Sequence, residues 1–266
     1  VLHVPIVWAE IEGDEGRFDW SGSDRLFEMA DHLGKRIVAG PILGSNAQHL
    51  PNWALARRDQ FDRFRDSVSR FVNQVAARYA ARVDQWYAVG GLNTPTGLGL
   101  NDQLRILLAA GIVERLRRSD PNTPRLVAID RPWGEYLQQP TASLSPLGFL
   151  DALIRADIGV DAIGMEMNLG CWSNGTTWRH PLAIVQRINE FASLEKPITL
   201  LLRSGTDQID AMRQLTQLIN TNTSVAAVVW NQWMDAEAEF PHSGLWTETG
   251  PSALFEQLWG SATKDA

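Results

Sequence analysis

Short apolar runs alternate with amphipathic helical stretches along nearly the whole chain, and this alternation limits the fold more than any other feature. The runs LHVPIVW, RIVAGPIL, VDQWYAV, RLVAID, DAIGMEM, PITLLLR and VAAVVWNQW are each short enough for one strand. Between them, apolar residues recur every three or four positions. Phe61, Phe64, Val68, Phe71, Val72, Val75 and Tyr79 form one such series, and Leu104, Leu107, Leu108, Ile112 and Leu116 another. The second series stops at RSDPNTP, where proline and small polar residues end a helix. Segments 145–157, 181–194, 209–220 and 251–259 carry the same period. Strands that are apolar on both faces need cover on both, so the pattern predicts parallel strands flanked by helices.

Units repeating at roughly 35-residue spacing predict a (β/α)8 barrel rather than an open doubly wound sheet. A dinucleotide fold would show GxGxxG after an early strand, and a phosphate loop GxxxxGK[ST]; the chain has neither. The stretch GGLNTPTGLGL is rich in glycine but lacks the lysine of a phosphate loop. The strand count is one short of a full barrel. The expectation is therefore an α/β (β/α)8 barrel whose first strand and helix lie upstream of residue 1, with an upstream domain or segment covering the raw edge. No low-complexity linker divides the chain, so residues 1–266 are expected to form a single domain.

A net charge of −7 and a pI near 5.3 argue against a nucleic-acid partner, which needs a basic face. The basic residues of ARRDQFDRFRDS are interleaved with aspartates and are read as a solvated helix face. No apolar run approaches the ~18 residues of a membrane span, and no signal peptide is visible. The lone Cys171 excludes an internal disulfide and a cysteine-rich metal site. The histidines His3, His32, His49, His180 and His242 are scattered without HExxH, and no GxSxG elbow occurs. No metal or cofactor is expected.

Barrels carry function at the C-terminal ends of their strands. Taken in order, those ends offer Trp8 and Glu10; Pro41 to Gln48; Gly90, Gly91 and Asn93; Asp130, Arg131, Trp133 and Glu135; Glu166 and Asn168; Arg203 and Ser204; and Asn231, Gln232, Asp235, Glu237, Glu239 and His242. Amides, carboxylates and indoles in this density suit a polyhydroxylated ligand: planar polar groups bond hydroxyls, and indoles cover the apolar face of a sugar ring.

The landmarks also resemble those of glycoside hydrolase family 10, the xylanase family of retaining β-glycosidases. That family reads W-x-x-I-x-P-x-x-G-x-F-x-W, then D, A and G, then R-G-H-T-L-V-W-H-x-Q-x-P-x-W; here Trp8, Gly16, Phe18, Asp24, Gly40, Leu43, Gln48, Pro51 and Trp53 fall in place. RYAARVDQWYAVGG is similar to its R-Y-x-G-x-V-x-x-W-D-V-V-N-E, and VDAIGMEMNLG to its D-G-I-G-x-Q-x-H. PITLLLRSG resembles P-I-x-I-T-E-L-D, and VVWNQWMD the last strand's W-G-x-x-D. The motifs are collinear over nearly the whole chain, omitting the family's first strand and helix.

The departures from the family fall on its chemistry. A retaining glycosidase needs two carboxyl groups about 5–5.5 Å apart, one acid/base and one nucleophile. The resemblance puts the acid/base at Gly91, its preceding asparagine at Gly90, and the nucleophile at Leu202. Neither glycine nor leucine can donate a proton or attack an anomeric carbon. The family's sugar-holding residues on its second strand fall at His3, Val4 and Val7, and those after its third strand at Pro41 and Ser45.

The resemblance thus implies a carbohydrate-binding barrel for an oligosaccharide or polysaccharide, without retaining catalysis. It also implies an extracellular, periplasmic or cell-surface setting in a bacterium. The residues expected to bind sugar are Gln48, Trp53, Trp133, Glu135, Asn168, Trp230, Asn231, Gln232, Asp235, Glu239, His242 and Trp246. One alternative is an active glycosidase with relocated carboxylates, Asp130 and Glu166. Against it stands the plainer reading in which Asp130 pairs with Arg131 or Arg203 and Glu166 satisfies strand-end donors. A second alternative is a protein-interaction scaffold. Arg203 beside Ser204 is either ordinary loop or a seat for an anionic sugar.

Overall fold

The computed structural model describes residues 1–95, 97–139, 142–170, 176–204, 209–234, 243–253 and 255–256. The chain forms two compact units, Val1–Asp130 with Tyr136–Gly164, and Arg131–Glu135 with the chain from Met165 onward.

The first unit contains β1 (Leu2–Val4), α1 (Trp8–Ile11), α2 (Ser21–His32), β2 (Ile37–Ala39), β3 (Leu43–Gly44), α3 (Asn52–Leu55), α4 (Phe61–Tyr79), β4 (Gln85–Gly90), α5 (Asp102–Ser119), β5 (Arg125–Asp130) and α6 (Pro146–Arg155). It also holds the start of β6 (Ala162–Leu169). The pairings are parallel: Leu2 opposite Ile37, Val38 opposite Gln85, and Trp86 opposite Arg125, with a register shift between Tyr87 and Val89. The two-residue β3 lies beside the end of β4, with Leu43 opposite Val89. Between Gln85 and Asp130, the interiors of β4 and β5 are buried at every position. That is why these runs read as continuously apolar.

Helix α4 buries Phe64, Val68, Phe71, Val72, Val75 and Tyr79, the face its periodicity predicts. In α5 the inward face is instead Arg105, Leu108, Ala109, Ile112, Val113 and Leu116, and Leu107 is 45% exposed. The start of α5 explains its placement: the Asn101 side chain accepts from the Leu104 amide. Helix α6 starts the same way, with Ser145 accepting from Gly148 and Pro146 in the first turn.

Trp8 is part of the core. Its ring stacks on Phe71 at 4.8 Å, and its indole N–H donates to Glu12 at 2.8 Å. The buried Glu12 also accepts from Gly16 and Arg70. The run ARRDQFDRFRDS is only partly the solvated face expected of it, because Arg57 turns back to grip both oxygens of Glu15 and donates to Ser67. Arg57 and then Arg70 hold the Glu15 carboxyl below its ordinary range.

The second unit contains the rest of β6, α7 (Pro181–Ala192), β7 (Ile198–Ser204), α8 (Ile209–Asn220), β8 (Val225–Trp230) and a two-stranded antiparallel pair, β9 (Trp246–Thr247) with β10 (Gly250–Pro251). Strands β7 and β8 run parallel from Ile198 opposite Val225 to Leu202 opposite Trp230. The strand order is β1-β2-β4-β5-β6-β7-β8, and these strands are the apolar runs of the sequence. Among the described residues no helix is long and apolar enough to cross a membrane. Of the helix expected over 251–259, residues 254 and 257–259 lie outside them.

Candidate functional site

In the first unit the C-terminal end of β4 is closely packed. The chain leaves β4 at Gly90, whose carbonyl accepts from the Ser45 amide at 3.0 Å, and the Gly91 amide donates to Ala128 at 3.0 Å. Gly91 is left-handed, with φ +66. A Cβ there would stand 2.8 Å from Ser45 Oγ and 3.3 Å from Asp130 Cβ. Glycine is required both for the backbone conformation and for the space. Gly97, also left-handed, has no room for a Cβ against the Ser45 carbonyl. Ser45 is thus the residue against which the glycine-rich stretch closes down.

Asn93, which the sequence places merely at the mouth, is fully buried. Its amide oxygen accepts from the Asp130 amide at 2.9 Å and its nitrogen donates to the Asp130 carbonyl at 2.8 Å. A side-chain amide here does the work of a strand's peptide group and holds the end of β5 to the β4 loop. The same nitrogen donates to the Tyr136 hydroxyl at 3.2 Å, and that hydroxyl donates to Leu144 at 2.8 Å. Burial pushes the Tyr136 phenol up to about 12, so it stays a donor. Behind Asn93, the buried Arg105 donates to the carbonyls of Leu100 and Asn93 and pairs with Asp102. The sequence signal for Arg105 was an arginine on the apolar face of α5. Gln48 is exposed on the short helical turn after β3, its backbone amide donating to Asn46 Oδ1. Trp53 is half-buried and committed to packing: its indole N–H donates to the Glu12 carbonyl, its ring meets Trp8 edge-on, and Arg57 and Arg70 lie over it.

In the second unit, Trp133 and Glu135 come together with a residue the sequence reading passed over. The Arg179 guanidinium lies 4.8 Å over the Trp133 ring and 3.8 Å from Glu135 Oε1. Arg187 secures the same loop by donating to the Pro132 carbonyl at 2.7 Å. Glu166 is half-buried and Asn168 buried, both in β6. Asp130 ends β5 in the first unit, whereas Glu166 belongs to the second. The Leu202 side chain is 1% exposed, packed within β7, and its carbonyl accepts from Asn231 at 2.9 Å. Arg203 donates twice to the Asn231 carbonyl. Trp230 donates to the Ser243 carbonyl, and Gln232 accepts from the Ser243 hydroxyl, both at 2.8 Å. Trp246 stacks on Trp233. Asp235, Glu237, Glu239 and His242 lie outside the described residues, as does Cys171.

With this geometry established, the chain can be set beside known proteins. The family model described as "Glycosyl hydrolase family 10" matches residues 5–98. The matched stretch begins just after β1 and runs through the Gly91 turn, so it includes the closely packed end of β4.

Endo-1,4-beta-xylanase 3 of Hypocrea jecorina is 22% identical over 228 residues, covering 84% of this chain. The chain spans 62% of the length of that relative. A shorter match, 32% identical over 72 residues, is to endo-1,4-beta-xylanase A of Cellvibrio japonicus; it covers 27% of this chain and 11% of that protein. Xylanase B of Clostridium stercorarium F9 superimposes with a TM-score of 0.75 at 14% identity, covering 96% of this chain and 88% of the other. Xylanase 10B of Thermotoga petrophila RKU-1, solved in complex with xylobiose, gives 0.71 at 13% identity, covering 97% and 83%. These likenesses establish the α/β barrel fold of family 10 xylanases along the chain.

Proposed function

We propose that this chain is a family 10 barrel that binds a β-linked oligosaccharide or polysaccharide without cleaving it by the retaining mechanism. The observation that carries this reading is Gly91. At the position the family resemblance gives to the acid/base, the backbone is left-handed and a side chain would collide with Ser45 Oγ. Leu202, matched to the nucleophile, is an isobutyl group buried in β7. A retaining glycosidase needs a carboxyl group in each role, and neither residue supplies one. Support for a sugar ligand comes from the kinship with xylanases and from the amide and indole groups at the ends of β6 and β8.

The test is calorimetric titration of the chain with xylohexaose beside an assay for released reducing ends. The expected result is saturable binding with no new reducing ends. Absence of binding to any β-glycan would overturn the ligand assignment.

One observation favours a second reading, an active enzyme with relocated carboxylates. Asp130 Cβ stands 3.3 Å from where a Gly91 side chain would begin, so an acid does lie beside the vacated position. Reducing-end release that disappears in Asp130→Asn or Glu166→Gln would replace the first reading with this one. A scaffold role gains no such support.

A further inference from the structure

Trp233 is 60% exposed, the most exposed of the large apolar side chains among the described residues apart from Val1, and Met234 next to it is 42% exposed. An indole left in water on a loop beyond β8 is nevertheless firmly seated. Its ring stacks on Trp246 with centroids 5.7 Å apart and planes 10° apart. The Trp246 amide donates to the Trp233 carbonyl at 2.8 Å, and Met234 and Trp246 form a parallel bridge. From behind, Phe255 meets Trp246 edge-on at 5.9 Å. The Ser243 hydroxyl on Gln232 and the Thr247 hydroxyl on the Gly250 carbonyl fix the two chain segments on either side. The result is a flat, rigid aromatic surface with one indole as support and the other presented outward.

The chemistry of the surroundings restricts what such a surface takes. From Val225 to Ala253 the sequence contains no lysine or arginine, while Asp235, Glu237, Glu239 and Glu248 are acidic. Arg203 reaches this segment from β7, where it donates to the Asn231 carbonyl, and the acidic excess of the segment itself disfavours anionic ligands such as uronates or phosphates. A neutral pyranose ring offers an apolar C–H face to the indole and hydroxyls to polar groups such as Thr249 and Gln232. We propose that Trp233, supported by Trp246, is a stacking platform for a pyranose ring of a neutral β-1,4-linked oligosaccharide. This inference rests on the sugar-binding reading above and adds to it a residue that the family motifs do not supply.

The test compares the unchanged chain with Trp233→Ala and Trp233→Phe in calorimetric titrations with xylohexaose. Melting temperatures and sedimentation are measured alongside. Because Trp233 is exposed, both variants are expected to melt as the unchanged chain does. Removing the ring is expected to weaken binding about 10-fold, and keeping an aromatic ring to cost roughly 3-fold or less. In a second measurement, xylohexaose slows oxidation of Trp233 by N-bromosuccinimide, read by peptide mass.

If Trp233→Ala binds within about twofold of the unchanged chain, or if xylohexaose leaves Trp233 oxidation unslowed, the platform is wrong while the sugar-binding reading stands. If the unchanged chain binds no oligosaccharide, both fall. If the unchanged chain self-associates and Trp233→Ala makes it monomeric, the surface is a protein contact and the platform is likewise overturned.

Discussion

At the scale of single residues, Gly91 is where sequence and structure say most about each other. That the stretch YAVGGLNTPTGLGLN holds no acidic side chain was legible from the letters; the left-handed, crowded backbone at Gly91 was not. Left-handed backbone costs an L-residue about 1–2 kcal/mol, and the Ser45 hydroxyl lies 2.8 Å from the Cβ position. Gly91→Ala should therefore lower stability by roughly 2 kcal/mol in urea unfolding. Part of that loss is steric, so Ser45→Ala in the same chain should recover on the order of 1 kcal/mol, whereas Ser45→Ala alone should not stabilise. Strict additivity in this double-mutant cycle would show that Ser45 is not what closes the site. Asn93 was named from the sequence only as a mouth residue; its two bonds to the Asp130 backbone depend on a loop geometry that no local pattern encodes. Trp53 falls in register with the family motif, yet its indole N–H and ring are taken up by Glu12, Arg57 and Arg70.

At the scale of elements, the strands on the main path and helix α4 could be read from period alone, and α5 only in part: Leu108, Ile112 and Leu116 are buried as its period predicts, whereas Leu107 is exposed. Leu104 and Leu107 match a helical stripe as well as Leu108 and Ile112 do. The buried face was decided instead by Arg105, which reaches the Asn93 loop while its stem packs inward. The contact between α2 and α4 was equally hidden. Arg78 pairs with Asp24 through two nitrogens, Tyr79 donates to the same carboxylate at 2.8 Å, and Tyr79 stacks on Phe27. Arg78 holds the Asp24 carboxyl below its ordinary value of 3.8. A carboxylate with a lowered folded pKa contributes stability in full above its unfolded pKa and loses it as pH falls through the folded value. Asp24→Asn should therefore cost about 1 kcal/mol near neutrality, with the difference from the unchanged chain vanishing in acid below the folded pKa. Urea unfolding at the two pH values measures this; a deficit that persists in acid would mean that packing, not charge, is what Asp24 supplies.

At the scale of the whole chain, the strand–helix alternation carried the fold class, because parallel strands buried on both faces leave a continuous apolar signature. The candidate site was less legible, since its residues belong to separate strand ends and only their order, not their approach, is written in the sequence. Arg179 illustrates the difficulty: it lies 46 positions beyond Trp133, and nothing between them marks the pair. Charge gives the molecule-wide prediction. A chain of net charge −7 binding a neutral oligosaccharide through indoles and amides displaces no counterions. Its dissociation constant for xylohexaose should change less than about twofold between roughly 0.05 and 0.5 M salt. At saturation the ligand should raise the melting temperature at both salt concentrations alike. A cationic seat would behave differently, and such behaviour would point to the concavity lined by Arg57, Arg63, Asp66, Ser67 and Arg70. Two of those arginines are already engaged by Glu12 and Glu15, which argues against their holding an anionic ligand. Affinity falling steeply with salt would reverse that judgement and move the ligand from the indoles of the second unit to the guanidinium groups of the first.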